Sequence, residues 1–362
     1  MDRPAYFKGE ENRMNSKTVS VILSVITVIS VLSAAFMYLS YGNQITTLND
    51  KINGLQQTVD DQATQLNAYH NLTLVDDDGY VTTLTAVPAK IASLAPSNTQ
   101  MLFAVGAGDK VVGMTDFDDY PYDFQSWINV YHNMTSVGGY GDVNMEAIAT
   151  LNPDLILATT MNDDGETQAL RDLGYKVLTI DPSSVNGVLQ DILLVGRATG
   201  NDAKAATVIN DINTKLNAIA AKVASLNQAK PTVYYEIWAE PLQSVGASSW
   251  VTDVISRAGG VNIFGNVTEA WPTVSAETVV SLNPDVIILP TNMGTGQAFQ
   301  VTLEQVKARP GWDVVNALKN NRLYVIDQDT FAIFGPRIAE QVQTVAACLY
   351  PNDFSMPSSP TP

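Results

Sequence analysis

Two copies of one pattern lie 131 residues apart in this sequence. The first copy occupies residues 140–157 and the second occupies residues 271–288. Each copy has an aromatic residue, a valine three positions later and a glutamate six positions later, followed by Leu-Asn-Pro-Asp and an apolar run. A duplicated unit of this kind predicts a chain built from two lobes of similar construction.

The repeated unit carries the signals of a short helix. Asn144 and Ser275 are residue types that often cap a helix N-terminus. Glu146 and Glu277 follow in the first turn, where the helix dipole favours a negative charge. Each glutamate alone is typical of an ordinary helix start. Their equivalent placement favours a shared role, because it presents two carboxylates on one side of a bilobed body.

The aromatic residue of each copy, Tyr140 or Trp271, precedes its helix in a predicted loop. Loops at the carboxyl ends of parallel strands are where α/β sheets bind ligands. Two rings that face each other across a cleft would hold a flat, largely uncharged ligand through contact area and stacking. The alternative is that these rings only pack between the lobes or lie in ordinary loops.

Strand-like apolar runs alternate with helical patterns along the rest of the chain. The strand-like run at 154–158 is followed by a helical pattern at 166–173, and the sequence Ser97-Asn-Thr-Gln has the spacing of a capping box that starts another helix. Residues 202–226 predict one long helix, after which the alternation resumes. This order predicts an α/β fold with parallel sheets that are buried on both faces.

The N-terminal region contains an uncharged stretch of 22 residues, 18–39. A helix of this length spans a bilayer. The basic residues before it predict, by the positive-inside rule, a cytoplasmic N-terminus and an external remainder. We therefore expect a single-pass anchor, with a cleaved signal peptide as the alternative.

Apolar residues then recur in steps of three and four between residues 43 and 72. This short heptad pattern predicts a helical stalk that is able to self-associate. A solvated linker is the alternative, because the pattern extends over only about three heptads.

The composition argues against several classes of protein. The chain has 37 acidic and 20 basic residues, a net charge of -17, which argues against a nucleic-acid partner. Two histidines, His70 and His132, are too few for a His-rich metal site, and the single cysteine, Cys348, lies in an apolar run where burial is expected. Because the chain also lacks a phosphate-binding glycine loop, we expect no enzyme, no catalytic residues, no resident cofactor and no metal site.

Five stretches share a family likeness: residues 91–108, 112–121, 137–158, 271–277 and 334–338. Together they resemble the cobalamin- and ferric-siderophore-binding proteins of ABC importers, over about residues 80–350. The resemblance implies two Rossmann-like lobes joined by a long, rather rigid helix, with the ligand bound between the lobes.

The resemblance also implies partners and site residues. One glutamate from each lobe would dock on the ABC permease, which works with ATPase subunits, and these glutamates are Glu146 and Glu277. Aromatic residues line the cleft of the cobalamin-binding members, and the candidate ligand contacts at the corresponding or neighbouring positions here are Phe117, Tyr140, Trp238, Trp271, Asp329 and Phe331.

The expected cleft loops contain one obvious cation, Arg337. A trianionic catecholate complex would need several cations, because an unpaired buried charge is unfavourable. The sequence therefore favours a corrinoid, with a ferric hydroxamate close behind and haem as a further alternative. A surface structural or adhesion protein is a less favoured alternative, because it does not explain the repeated unit.

The predicted location is the cell membrane, with the globular part on the extracytoplasmic side, where sequons make Asn71, Asn133 and Asn266 candidates for glycosylation. The predicted segments are a cytoplasmic N-terminus at 1–17, the anchor at 18–39, the stalk at 43–72, an N-terminal lobe at 73–186, a connecting helix within 187–229, a C-terminal lobe at 230–350 and a disordered tail at 351–362.

Overall fold

The chain divides into two compact units, Met1–His70 and Asn71–Pro362. The computed structural model describes residues 51–59, 72–118, 134–139, 142–160, 165–291, 302–327 and 333–357, together with Val21, Ser24, Val25 and Thr27.

In the first unit, residues 51–59 form a helix. Its half-buried positions are Ile52, Leu55 and Val59, which are spaced by three and four residues. The remainder of the predicted stalk lies outside the described residues, except for Leu72, which begins a strand and which the predicted boundary wrongly included. The predicted anchor lies almost wholly outside them as well, and no described helix has the length and apolar character needed to cross a bilayer.

The second unit alternates strands and helices. In chain order, the strands are β1 (Leu72–Val75), β2 (Val81–Leu84), β3 (Ile91–Ser93), β4 (Val111–Met114), β5 (Thr135–Ser136), β6 (Gly138–Gly139), β7 (Asp142–Val143), β8 (Leu155–Ala158), β9 (Val177–Thr179), β10 (Thr232–Ala239), β11 (Leu242–Ser244), β12 (Val261–Asn262), β13 (Val286–Thr291) and β14 (Leu323–Asp327). The α-helices of this unit are α1 (Pro96–Ala104), α2 (Met145–Leu151), α3 (Glu166–Asp172), α4 (Val185–Thr199), α5 (Asp202–Leu226), α6 (Trp250–Arg257), α7 (Ala276–Leu282), α8 (Leu303–Lys307), α9 (Asn316–Lys319) and α10 (Ile338–Leu349).

Each lobe contains a five-stranded sheet. The first has the order β5-β4-β3-β8-β9, and all its neighbouring strands are parallel. The second has the order β11-β10-β13-β14, with β12 also paired to β10, and only the β10–β11 pair is antiparallel. The prediction of an α/β fold with parallel sheets is therefore confirmed.

One continuous hydrophobic core extends through both lobes. It includes Ile91 of the first sheet, Ile212 of α5 and Val233 of the second sheet. Because alternate residues of a strand point to opposite faces, the intervening positions build a smaller separate core on the other face of each sheet. The helix α5 joins the lobes and has 25 residues, so it is about 37 Å long.

The hairpin of β1 and β2 lies against the free edge of β9. Thr82 Oγ1 donates a hydrogen bond of 2.9 Å to the carbonyl oxygen of Val177. The guanidinium of Arg171, on α3, donates to Asp76 at 2.7 Å and stacks 4.1 Å from the centroid of the Tyr80 ring. These contacts fix the hairpin to the first lobe.

The predicted capping box at Ser97 is not formed. The helix α1 begins at Pro96, its N-cap residue is Ala95, and Ser97 lies inside the first turn. Proline starts the helix here because its φ is already close to the helical value and it has no N–H to leave without an acceptor.

Candidate functional site

The repeated unit folds into the same structure in both lobes. The Asn144 side chain accepts a hydrogen bond from the N–H of Ala147 at 3.0 Å, and Ser275 accepts from Thr278 at 3.1 Å. The helices α2 and α7 then end at two asparagines, Asn152 and Asn283, and each of these has φ 46° and ψ 64°. The predicted N-caps are present, and the two lobes share both ends of this helix.

The aspartate of each Leu-Asn-Pro-Asp motif binds the backbone where a central strand of its lobe's sheet begins, β3 in the first lobe and β10 in the second. Asp154 Oδ2 accepts from the N–H groups of Ala89 and Lys90 at 2.8 and 2.9 Å. Asp285 Oδ2 accepts from the N–H and the hydroxyl of Thr232 at 3.0 and 2.9 Å. The sequence contained the signal for this role, an aspartate at the same place in both copies, but not the identity of its partners.

The two glutamates of the repeat are exposed at the second positions of α2 and α7. A hydrogen bond from its own backbone N–H, and then one from Ser275, lower the pKa of Glu277. Glu146 and Glu277 therefore offer two carboxylates to solvent from equivalent places, and Glu277 is held in its charged form.

Three aromatic rings form a wall in the second lobe, which we call the aromatic wall: Trp250, Trp271 and Phe334. The Trp250 ring meets the Trp271 ring edge to face, with centroids 5.2 Å apart, and meets the Phe334 ring in the same way at 5.4 Å. Trp250 and Phe334 are buried, whereas Trp271 is 41% exposed. Trp271 thus packs against the lobe on one side, while its other side is open.

A short ladder positions Trp271. The N–H of Ser244 donates to the carbonyl of Pro272 at 3.0 Å, and the N–H of Gly246 donates to Ala270 at 2.9 Å. Position 246 must be glycine, since a Cβ there would lie 2.0 Å from the carbonyl oxygen of Glu269. The backbone on both sides of Trp271 is therefore held by hydrogen bonds.

Trp238 lies on the same ribbon. It is paired with Gln243, which forms a bridge with Thr273, two residues after Trp271. Trp238 and Trp271 therefore lie on neighbouring segments of one ribbon. The indole N–H of Trp238 donates to the carbonyl of Glu240 at 2.9 Å, which sets the orientation of its ring.

The first lobe contributes Phe117, which follows the carboxyl end of β4. Its side chain is 60% exposed, and its Cε2 would lie 3.3 Å from a Cβ at Gly139. The lobes approach each other where Gly335 passes α1, since a Cβ at Gly335 would lie 3.8 Å from the carbonyl oxygen of Ser97. Phe334, of the aromatic wall, is therefore next to the contact between the lobes.

Several predicted residues lie outside the described residues. They are Tyr140, Asp329, Phe331, Asn71 and Asn133. The third sequon residue, Asn266, is described and exposed.

The structure adds two residues to the expected site, Trp250 and Phe334. Phe334 lies within one of the stretches that carry the family resemblance, but no sequence pattern singles it out from its neighbours. Trp250 could have been suspected from Ser249, a helix-capping residue, followed by a large aromatic at the first helical position. Its contact with Trp271 could not have been inferred, because it depends on how two segments that are distant in the sequence pack together in the folded lobe.

The cation expected in the cleft loops, Arg337, is paired with an acidic side chain. Arg337 Nε donates to Glu340 at 3.0 Å, and its side chain is 13% exposed.

Cys348 is buried, as predicted. Within the described part of the chain, no cluster of histidine, cysteine and acidic side chains is arranged to hold a metal ion.

Two α/β lobes with an open aromatic wall define a bilobed solute-binding protein. Residues 91–330 match the family model described as Periplasmic binding protein. An ABC transporter substrate-binding lipoprotein of Bacillus subtilis is 31% identical over 301 residues, which cover 82% of this chain and 90% of that protein. A cobalamin-binding protein of Halobacterium salinarum is 32% identical over 210 residues, 57% of this chain and 55% of that protein.

Solved structures share the fold. The vitamin B12-binding protein of Vibrio cholerae superposes with a TM-score of 0.60 at 24% identity, covering 72% of this chain and 96% of that one. A periplasmic haem-binding protein of Pseudomonas aeruginosa gives a TM-score of 0.63 at 22% identity, covering 76% of this chain and 96% of that one.

The chain belongs to the periplasmic binding protein family. This membership confirms the resemblance found in the sequence. It also confirms that the chain is a substrate-binding protein of the ABC-importer class, a ligand carrier rather than an enzyme.

Proposed function

We propose that this protein captures a corrinoid or a ferric hydroxamate between its two lobes and delivers it to an ABC permease. The observation that carries the proposal is the open ring of Trp271, with its backbone and inner side held by the second lobe. A broad, flat chelate gains contact area and stacking from such a ring. Support for a corrinoid also comes from relatives named as cobalamin- and vitamin B12-binding proteins.

The charges near the aromatic wall favour a ligand without several negative charges. Arg337 already pairs with Glu340. A trianionic complex would need several cations, because an unpaired buried charge is unfavourable. Haem, which carries two propionates, is the second candidate, and its support is the fold shared with a haem-binding protein.

A titration separates these ligands. The purified full-length protein would be titrated in detergent with cyanocobalamin, ferrichrome, ferric enterobactin and haemin, following tryptophan fluorescence. We expect tightest binding of cyanocobalamin, followed by ferrichrome. Tight binding of ferric enterobactin, a catecholate, would contradict the charge argument, and binding of none of the four would reject the proposed function.

For Glu146 and Glu277 we propose a docking role on the permease. They are exposed, and they occupy equivalent positions in α2 and α7. Reversal of both charges, Glu146→Arg with Glu277→Arg, should abolish ATP-driven uptake into vesicles while ligand affinity stays unchanged. Glu304→Arg is the matched control, because this glutamate is also exposed near a helix start, in α8, but has no counterpart in the repeat. Normal uptake by the double variant would reject the docking role.

We also propose that residues 18–39 anchor the chain in the cell membrane, with the second unit outside. The support is the length of the uncharged stretch and the basic residues before it. Alkaline carbonate should leave the full chain in the membrane and release a chain without residues 1–42. If the mass of the mature protein shows that its N-terminal residues have been removed, a cleaved signal peptide is favoured instead.

Two finer features of the exported chain are proposed with it. The stalk at 43–72 would self-associate through its apolar positions, of which Ile52, Leu55 and Val59 lie along one stripe of the described helix. Sedimentation of the full chain and of a variant with aspartate at these positions tests this, and a monomeric wild type would refute it.

Asn266 is exposed and open to glycosylation, which a mass shift on glycosidase treatment would reveal.

A further inference from the structure

The indole N–H of Trp250 has no acceptor among the described residues. Its nitrogen is enclosed, and no described atom accepts a hydrogen bond from it. Burial of an N–H without a partner is unfavourable and rare, so an orphan donor of this kind calls for an explanation.

The polar groups around Trp250 do have partners. Ser249, the N-cap of α6, accepts from the N–H of Val251 at 3.2 Å. Thr252 Oγ1 donates to the carbonyl of Gly246 at 2.6 Å and accepts from Asn262 at 2.7 Å. The residues on either side of Trp250 are thus paired, so the missing acceptor is not a general feature of the start of α6.

The place of Trp250 points to a ligand. Its ring is 8% exposed and lies between Trp271 and Phe334. Trp271, which packs on this ring, is partly exposed, and Phe334 adjoins Gly335, where the lobes approach each other. The orphan donor therefore belongs to a ring that is in direct contact with the exposed ring of the aromatic wall.

We propose that the Trp250 indole N–H donates a hydrogen bond to an oxygen at the periphery of the bound chelate, once the Trp271 ring turns onto the ligand. This inference rests on the proposed function. The acceptor chemistry is a carbonyl or carboxylate oxygen, which the carboxamides of a corrinoid, a ferric hydroxamate and the propionates of haem all provide. A site with a buried donor discriminates strongly against a ligand that lacks the acceptor, because that donor then stays unpaired.

The test compares two variants that remove the same kind of group. Trp250→Phe keeps an aromatic ring and deletes the orphan N–H. Trp312→Phe does the same at a second enclosed indole without an acceptor, in the separate core where it packs edge to face on Tyr234 at 5.9 Å. Full-length wild type and both variants would be titrated with cyanocobalamin, ferrichrome and haemin, and their melting temperatures measured without ligand.

We expect Trp250→Phe to raise the dissociation constant about tenfold for a ligand that the wild type binds, the effect of one hydrogen bond in a dry site. Its melting temperature without ligand should stay equal or rise, because no bond is lost and an unpaired donor is removed. Trp312→Phe should leave the affinity unchanged. A Trp250→Phe variant with wild-type affinity would overturn the inference.

A measurement on the wild type keeps the test independent of how the variant folds. The chain has five tryptophans, so substitution of the other four assigns the indole 15N–1H signal of Trp250 by elimination. Cyanocobalamin should move the 15N frequency of this signal downfield, as a new hydrogen bond requires. An unmoved signal in a saturated protein would reject the inference while leaving the proposed function intact, whereas a wild type that binds none of the probes would overturn both.

Discussion

Replacement of Trp271 by alanine tests the aromatic wall most directly. The ring is 41% exposed and rests edge to face on Trp250. A ligand that binds between the lobes would cover the exposed part. Truncation should therefore weaken binding while it leaves most of the second lobe's packing in place.

The magnitude follows from the area at stake. A tryptophan side chain has up to about 250 Å² of surface, so the exposed part amounts to about 100 Å². At about 25 cal/mol per Å², complete coverage contributes about 2.5 kcal/mol, and coverage of one face contributes about half of that. Trp271→Ala should then raise the dissociation constant by roughly 10- to 70-fold.

The assay is a titration of wild type and variant with the ligand that the wild type binds most tightly. Trp271→Phe should give an intermediate loss, since it retains a smaller ring. Leu173→Ala is a control, because it removes an exposed apolar side chain that follows α3, outside the aromatic wall. An unchanged affinity of Trp271→Ala, with an intact melting transition, would remove this residue from the site and refute the area argument.

Three further predictions concern the scaffold. Asp154→Ala and Asp285→Ala should each lower the free energy of unfolding by about 2 kcal/mol in urea titrations, because each leaves donors at the start of a core strand unpaired, and a variant of wild-type stability would contradict that role. Burial, and then the charges of two neighbouring aspartates, raise the pKa of Asp191 to about 9, so the folded state retains a proton that the unfolded chain releases. The free energy of unfolding therefore falls as the pH rises between the unfolded and folded pKa values. Asp191→Asn should raise the melting temperature more at about pH 8 than at about pH 5, and an equal effect at both would refute this. Burial raises the pKa of the Cys348 thiol to about 12, so a thiol reagent at about pH 8 should label it only after denaturation, and rapid labelling of the folded protein would count against its burial.

The features that the sequence predicted well are encoded within short stretches of chain. Asn144 and Ser275 could be recognised as N-caps because a cap contacts a backbone group three residues away. The long helix was predicted at 202–226 and occupies Asp202–Leu226, because its helical composition is continuous and the chain turns at both ends.

The features that it did not predict depend on distant partners. Trp250 meets Trp271 and Phe334 across the lobe, and no periodicity in the sequence relates these positions. The contact of the β1–β2 hairpin with β9 was likewise not predicted, since the bond from Thr82 to Val177 joins residues 95 positions apart. The failed capping box at Ser97 has a local cause, because Pro96 starts the helix one residue earlier.

The continuous core that passes from one sheet through α5 to the other has an energetic consequence for solute capture. In a receptor whose two lobes move freely, the binding free energy is reduced by the cost of bringing the lobes together and of losing their relative motion. Here apolar packing already holds the two lobes together, so most of this free-energy cost is offset when the chain folds. We therefore expect the two lobes to move little when the ligand binds. The association rate constant should depend more on how the ligand enters the cleft than on closure of the lobes.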